Sequence, residues 1–262
     1  MTVDHDSSLW TRRYHSAPPG RPRLVCLPHA GGSATFFFGP SRALSPAVEV
    51  LAVQYPGRQD RRHEPFITDL HELADRVHEV LPGGGTEPLA LFGHSMGATL
   101  AYEIARRLEA DGRTPVHLFV SGRPAPSRHR DDRLHQADDE RLLAEVNRLN
   151  GTDATLLDDS ELRQMVLGPI RADYIAAETY RPTGGAPLRC PVTAFCGDAD
   201  PKAGVEEMLA WQTHTTGPFD LHVFPGGHFF IGQHEHAVLD LITAALGAAS
   251  GAVRGFVSRV LP

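Results

Sequence analysis

Short apolar runs alternate along the chain with stretches in which apolar residues recur at helical spacing. Apolar positions three and four residues apart over Ile67–Leu81, and again over Leu100–Leu108, predict amphipathic helices, the second ending near Gly112. Most of the apolar runs are continuous, which is typical of strands covered by helices on both faces. The alternation predicts an α/β fold with a mostly parallel central sheet flanked by helices. The predicted strands are Arg23–Leu27, Val48–Gln54, Leu89–Phe92, His117–Val120, Val192–Cys196 and Asp220–Phe224.

The stretch from Arg123 to Leu188 interrupts this alternation. It opens with prolines and a charged run, lacks any strand pattern, and favours helices around Asp138–Leu149 and Ser160–Tyr180. Its position between two predicted strands is where a lid would lie, although ordinary helices packed on the sheet are an equal alternative. We expect residues 1–262 to form a single domain with a helical lid insertion at about 123–188.

Composition and charge exclude several classes of function. The formal net charge of −7 argues against nucleic-acid binding, which rests on a concentrated basic surface. The sequence shows neither a signal peptide nor a run of about 18 apolar residues, so we expect no membrane span. The three cysteines, Cys26, Cys190 and Cys196, lack zinc-binding spacing. We therefore expect reduced thiols, a reducing cytoplasm and no metal. We also expect no cofactor and a monomeric protein.

Ser95 lies at the centre of Gly93-His94-Ser95-Met96-Gly97, between a buried-strand pattern and a helix pattern. This strand–turn–helix context is that of the nucleophile elbow of an α/β-hydrolase. The flanking glycines permit a tight turn, and the N-terminus of the following helix favours developing negative charge. A serine that only caps a helix is the alternative. We expect Ser95 to attack an ester or thioester and to form an acyl-serine.

The serine needs a base, and in this fold the triad runs in the order Ser, acid, His. His228 is favoured because Pro225-Gly226-Gly227 places it in a loop just after the last predicted strand. A metal site over Gln233–His236 is less favoured, because its histidines lack the i, i+4 spacing of a helical zinc pair. The competing bases are His214, His222, His234 and His236.

The acid must orient the base and stabilise its cation. Asp200 follows the strand Val192–Cys196 in a loop at the expected position, with Asp198 as the alternative. The loop after the preceding strand, Ser121–Pro124, contains no carboxylate, which favours Asp200. A simple turn residue is the other interpretation of this aspartate.

An oxyanion hole needs two backbone N–H donors. One should be Met96, the residue after the nucleophile, and the other should come from the glycine-rich loop Leu27–Ser33 after the first predicted strand. Within that loop we favour Ala30, since the paired glycines that follow it let the backbone approach the substrate closely. A plain glycine-rich turn is the alternative.

Taken together, the motifs resemble the type II thioesterases that accompany modular polyketide synthases and nonribosomal peptide synthetases. The resemblance extends from residue 24 to about residue 240, and its oxyanion loop, Tyr-Pro-Gly-Arg segment and Gly-His-Phe-Phe loop are selective in combination. The matching segments are Leu27–Gly32, Tyr55–Arg58, Gly93–Gly97, Leu149–Thr152, Leu167–Tyr174, Gly197–Pro201 and Gly227–Phe230.

The resemblance implies the same triad and oxyanion donors, and a mobile lid over residues 123–188. It also implies acyl or peptidyl carrier proteins as partners, with removal of stalled acyl groups from the phosphopantetheine arm as the function. Carrier proteins are acidic and this chain has a formal net charge of −7, so contact would be local, with Arg58, Arg61 and Arg62 or Arg123–Arg133 as candidates. A solvated basic loop is the alternative for each of these arginines. The alternatives are a small-molecule carboxylesterase, a chain-releasing acyltransferase or, ranked lower, a non-catalytic binding protein.

Overall fold

A seven-stranded sheet runs through the part of the chain that the computed structural model describes, residues 8–82, 87–149 and 160–249. The strand order is β1-β3-β2-β4-β5-β6-β7, in which β1 pairs antiparallel with β3 and all other neighbours pair parallel. The strands are β1 Thr11–Arg12, β2 Arg23–Leu27, β3 Glu49–Val53, β4 Leu89–His94, β5 His117–Ser121, β6 Val192–Gly197 and β7 Phe219–Phe224.

Helices connect the parallel strands and lie on both faces of the sheet. Short 3₁₀ turns at Ala34–Phe37, Gln59–Arg61, Leu134–Gln136 and Ala210–His214 complete the connections. The helices are α1 Phe38–Leu44, α2 Leu70–Val80, α3 Met96–Ala110, α4 Asp139–Arg148, α5 Ser160–Thr179, α6 Val205–Leu209, α7 Phe230–Gln233 and α8 Glu235–Ala249.

The core consists of one apolar layer on each face of the sheet. Successive residues of a strand point to opposite faces, so that Leu91 joins the layer beneath α2 and α3 whereas Phe92 joins the layer beneath α1 and α8. Both layers are almost completely buried. Helices cover both faces of the mostly parallel sheet, which is why most of its strands are continuous apolar runs. The structure confirms the predicted α/β-hydrolase class.

Every predicted strand is present, with bounds that differ by at most two residues. The expected strand at Val48–Gln54 is shorter, because pairing covers only Glu49–Val53. The short β1 was not predicted. It has two residues and exists through pairing with Val53 and Ala52 of β3, which no local pattern can reveal.

Between β5 and β6 the described residues form the helices α4 and α5 and no strand of the sheet, as expected. These helices pack against each other through a separate small core that includes Leu142, Val146 and Ile170. The expected motif at Leu149–Thr152 lies largely outside the described residues. The insertion therefore has apolar contacts of its own in addition to those with the sheet.

Three further findings concern the described residues only. All three cysteines there are free and buried. No helix in the described ranges is long and apolar enough to cross a membrane. Within the same ranges, no group of three or more His, Cys, Asp or Glu side chains is arranged to hold a metal ion.

Candidate active site

Ser95 occupies a sharp turn between β4 and α3. Its backbone has φ 55° and ψ −122°, a conformation that residues other than glycine rarely adopt. Its N–H donates to the carbonyl of Ser121 at the end of β5, with 2.8 Å between nitrogen and oxygen. The strained backbone is held by the adjacent strand, as a nucleophile elbow requires.

The two glycines of the motif are required by close backbone contacts. A Cβ on Gly93 would lie 2.0 Å from the carbonyl oxygen of Gly97, and a Cβ on Gly97 would lie 2.1 Å from the carbonyl oxygen of Leu27. Backbone atoms cannot move aside as a flexible side chain can. The spacing of the glycines therefore follows from the packing of α3 against β2 and from the turn itself.

His228 and Asp200 are brought together by neighbouring parallel strands. Asp200 follows β6 and His228 follows β7, so both loops lie at the carboxyl edge of the sheet. His228 Nδ1 lies 2.9 Å from Asp200 Oδ2 and 3.1 Å from Oδ1, and the two side chains are only 3% and 0% exposed. Because a carboxylate only accepts hydrogen bonds, Nδ1 carries the hydrogen and Nε2 is left to accept a proton.

The competing residues have other partners. Asp198 Oδ1 accepts from the N–H of Gly226, which makes it a turn residue. His214 Nε2 lies 2.9 Å from Ser127 Oγ, and His234 Nε2 lies 2.9 Å from the carbonyl oxygen of Pro225. The alternatives His222 and His236 belong to β7 and α8.

A cavity of about 90 Å³ is lined by four of the five predicted site residues, all except Asp200. Ser95, His228, Ala30 and Met96 all line it, and α5 contributes Tyr174 among other side chains. The elements that meet here are the elbow, the loop after β2, the loop after β7 and the insertion. The arrangement offers a hydroxyl, an oriented imidazole and a glycine-rich backbone loop around one small chamber.

Two further histidines lie beside His228. His94 is buried and its Nδ1 lies 2.9 Å from Ser121 Oγ. Burial, and after it the charges of His228 and His29, hold the pKa of His94 well below its ordinary value. Burial, followed by the charges of His228 and Arg58, lowers the pKa of His29 to about 3. Both rings are neutral near pH 7, so neither adds a positive charge beside His228.

The Tyr-Pro-Gly-Arg segment supports the loop after β2. The Tyr55 hydroxyl donates to the carbonyl oxygen of Pro28 at 3.0 Å, and Arg58 Nη1 donates to the carbonyl oxygen of Gly32 at 2.8 Å. The N–H of Gly32 donates to the carbonyl oxygen of His29 within the loop. The two selective sequence motifs are therefore parts of one hydrogen-bonded unit next to Ser95.

Several arginines that were considered for carrier-protein contact are not on the surface. Arg58 and Arg61 are buried, and Arg123 turns inward to donate to Thr99 Oγ1 and to the carbonyl oxygen of Ala177. Burial would lower the pKa of Arg58, but the charge and hydrogen bonds of Asp173 outweigh it and raise that pKa. The candidate contact of a carrier protein with Arg58, Arg61 and Arg123 is not supported, because groups of this chain already bind all three guanidinium groups.

Asp173 is a buried polar residue near the site to which the sequence analysis gave no role, although it lies in the matching segment Leu167–Tyr174. It lies on α5, is 2% exposed, and pairs with Arg58. One signal was present: Ile170, Asp173 and Ala177 share one face of the helix, and Ile170 and Ala177 are buried. A lone acid on an apolar helix face indicates a buried partner, although the sequence does not identify which one.

Comparison with known proteins gives a consistent picture. A family profile described as thioesterase domain matches residues 22–246. Thioesterase PikA5 of Streptomyces venezuelae is 50% identical over 254 residues, which cover 94% of this chain and 89% of that protein. A probable cadicidin biosynthesis thioesterase of Streptomyces griseus is 49% identical over 245 residues, which cover 94% of this chain and 68% of that protein.

A solved structure agrees with these relatives. The type II thioesterase BorB from the borrelidin biosynthetic cluster superposes with a TM-score of 0.86 at 51% identity, over 91% of this chain and 98% of that one. The resemblance inferred from the motifs is confirmed by the profile, by the relatives and by this structure. The chain belongs to the type II thioesterase family, whose members are serine hydrolases with the α/β-hydrolase fold.

Proposed function

We propose that Ser95, His228 and Asp200 form the catalytic triad of this thioesterase. One observation carries the proposal: His228, paired through Nδ1 with the buried Asp200, lines the same small cavity as Ser95. Nε2 of His228 is then free to remove the proton from the Ser95 hydroxyl as its oxygen attacks the thioester carbonyl carbon. Asp200 stabilises the imidazolium that forms.

We propose the backbone N–H groups of Ala30 and Met96 as donors to the resulting oxyanion. Met96 is the first residue of α3, so its N–H is one of those at the helix N-terminus that lack an intrahelical acceptor. In the loop after β2, the N–H of Gly31 donates to the Asp173 carboxylate and the N–H of Gly32 donates to the His29 carbonyl oxygen. Ala30 lines the cavity, so we assign its N–H as the second donor to the oxyanion. Removing one such donor generally costs 10²–10³ in kcat.

The intermediate collapses by breaking the carbon–sulfur bond, and the proton on His228 goes to the departing thiolate sulfur. Water then enters, His228 takes one of its protons, and the hydroxide attacks the acyl-serine carbonyl. The second collapse returns the proton to Ser95 Oγ and releases a carboxylic acid. Thioesters have little resonance stabilisation and a good leaving group, so acylation demands only modest activation.

As substrate we propose an acyl group on the phosphopantetheine arm of an acyl or peptidyl carrier protein, removed when it has stalled. The names of the relatives, which belong to biosynthetic pathways, support this choice. Helix α5 lines the cavity, which supports a lid role for the insertion at 123–188 within a single domain. Arg128 is exposed at the cavity and carries positive charge, which suits an acidic carrier protein, whereas the neighbouring Arg130 pairs with Glu207. We also propose a monomer in a reducing cytoplasm, since one chain supplies every group that the mechanism uses.

The test is mass spectrometry of carrier protein loaded with different acyl groups, before and after treatment with the enzyme. The Ser95→Ala variant should leave every acyl group in place, and Ser45→Ala, a serine that bonds to the Ser16 carbonyl away from the cavity, should remain active. A matched series of oxygen esters should be hydrolysed more slowly than the thioesters. Full activity of Ser95→Ala would refute the assignment, and preference for oxygen esters would refute the substrate class.

A further inference from the structure

The insertion reaches the loop after β2 through one carboxylate. Asp173 on α5 accepts a hydrogen bond at Oδ2 from the N–H of Gly31, with 2.7 Å between the atoms. Gly31 follows Ala30 directly, and its backbone has φ +76°. A Cβ on Gly31 would lie 2.5 Å from Ile170 Cγ1, so α5 packs directly on this part of the loop.

Arg58 completes the arrangement from the opposite side. Its Nη1 and Nη2 donate to Asp173 Oδ2 and Oδ1, each at 2.8 Å, in a two-pronged ion pair whose side chains are 7% and 3% exposed. The same Nη1 donates to the carbonyl oxygen of Gly32. The loop is thus held at Gly31 by Asp173 and at Gly32 by Arg58, and these two side chains hold each other.

We propose that Asp173 and Arg58 are positioning residues, through which the insertion completes the oxyanion hole. The proposal rests on the proposed function, in which Ala30 donates to the oxyanion. The N–H of Gly31 belongs to the peptide unit that follows Ala30, whereas the N–H of Ala30 belongs to the unit before it. The two units are joined through φ and ψ of Ala30, so holding the second unit restrains the direction of the Ala30 N–H. Without the contact from α5, Gly31 would lack its acceptor, and the donor would not be preorganised.

The charge of Arg58 has a second consequence. A bare carboxylate one residue from an oxyanion donor would repel the developing negative charge of the intermediate. The two-pronged pair neutralises Asp173, so the carboxylate can orient the loop without opposing the chemistry. The pair therefore serves the transition state, whereas a contact that only shapes the acyl channel would affect substrate binding.

The test uses the full chain with Asp173→Asn, which keeps the shape of the side chain but leaves one acceptor oxygen for two sets of donors. Misplacement of a catalytic group by about 1 Å costs about 10²-fold, so we expect kcat for a small acyl thioester to fall about 10- to 100-fold with KM nearly unchanged. Inhibition by a trifluoromethyl ketone analogue, which forms a tetrahedral adduct with serine, should weaken by the same factor. Arg58→Lys, which keeps the charge but not the fork, should show a smaller loss in the same direction.

The matched control is Asp139→Asn. Asp139 is the first residue of α4 and pairs with Arg171, which lies on α5 as Asp173 does. The Asp139 side chain is 55% exposed, and the other acceptors of Arg171 are the carbonyl oxygens of His135 and Ala137 within the insertion. Asp139→Asn should leave kcat unchanged. Rates are normalised to the amount of Ser95 that a fluorophosphonate labels at completion, so that unfolded protein is not counted.

Three results would overturn the proposal: a kcat for Asp173→Asn equal to that of Asp139→Asn, a change in KM alone, or unchanged ketone inhibition. Failure of the proposed function is distinguishable, because it would appear as thioester hydrolysis by Ser95→Ala. If Ser95→Ala is inactive and Asp173→Asn has full activity, only the positioning role is refuted.

Discussion

Replacing Asp200 by asparagine should reverse the polarity of the contact with His228. Asp200 Oδ1 also accepts a hydrogen bond from the N–H of Lys202 at 2.8 Å, while Oδ2 is the oxygen closer to His228 Nδ1. In the variant, the amide oxygen should keep the bond to Lys202, because the amide nitrogen cannot accept it. The NH₂ group then faces Nδ1, which must become the acceptor, and the hydrogen moves to Nε2.

The expected magnitude follows from the loss of the base. With the hydrogen on Nε2, His228 cannot take the proton of Ser95 and cannot later activate water. In serine proteases the corresponding substitution lowers kcat about 10⁴-fold. Thioester acylation needs less activation, so we expect kcat to fall about 10³- to 10⁴-fold, equivalent to about 4–5.5 kcal/mol of transition-state stabilisation.

The assay measures steady-state hydrolysis of an acyl thioester of N-acetylcysteamine. The released thiol reacts with a chromogenic disulfide, and the colour gives the rate. The matched control is Asp198→Asn, which keeps an oxygen acceptor for the N–H of Gly226 and should stay within about threefold of wild type. Thermal melts establish that both variants are folded. Equal losses in the two variants, or a loss below about tenfold for Asp200→Asn, would refute this account of the acid.

Two further predictions concern stability. Gly97→Ala places a Cβ 2.1 Å from the Leu27 carbonyl oxygen and should lower the free energy of unfolding, measured with urea, by about 3 kcal/mol or more. Gly232→Ala, the control, has open space at its Cβ and should lower it little. Equal losses in the two variants would contradict the packing argument. Burial lowers the pKa of His117 to about 4 in the folded protein. Between pH 6.5 and 4 the unfolded chain therefore binds more protons than the folded one, and the free energy of unfolding falls as the pH falls. His117→Gln should reduce this fall by on the order of 2 kcal/mol, and parallel pH profiles for the two proteins would contradict that shift.

The sheet was predictable because its central strands are buried on both faces. Mostly apolar runs mark β2 to β6, and the loops after the strands are where this fold places Ser95, Asp200 and His228. The structure brings Asp200 against His228 as predicted, while their catalytic roles stay predictions. The edge strand β1 was not predictable, since two polar residues carry no periodic signal and their pairing with β3 is non-local.

The partners of buried charges could not be predicted in the same way. Arg58 and Asp173 lie 115 residues apart, and only the packing of α5 against the loop after β2 joins them. Arginine is usually exposed, so the sequence favoured a surface role for Arg58. The pattern around Asp173 shows that this face of α5 is buried, but periodicity alone cannot distinguish between a partner on the sheet and a partner on a loop.

The supports of the loop after β2 explain why certain motifs are more selective than the Gly-x-Ser-x-Gly motif. A Gly-x-Ser-x-Gly elbow serves serine hydrolases of this fold whatever their substrate, since it depends only on close packing of α3 against β2 and on the strained turn. The loop after β2, by contrast, is held by Tyr55 and Arg58 from one segment and by Asp173 from the insertion. A change in one of these three residues leaves buried polar groups without partners, so the segments constrain one another. It follows that the insertion cannot be exchanged for that of another hydrolase without also exchanging the segment Tyr55–Arg58.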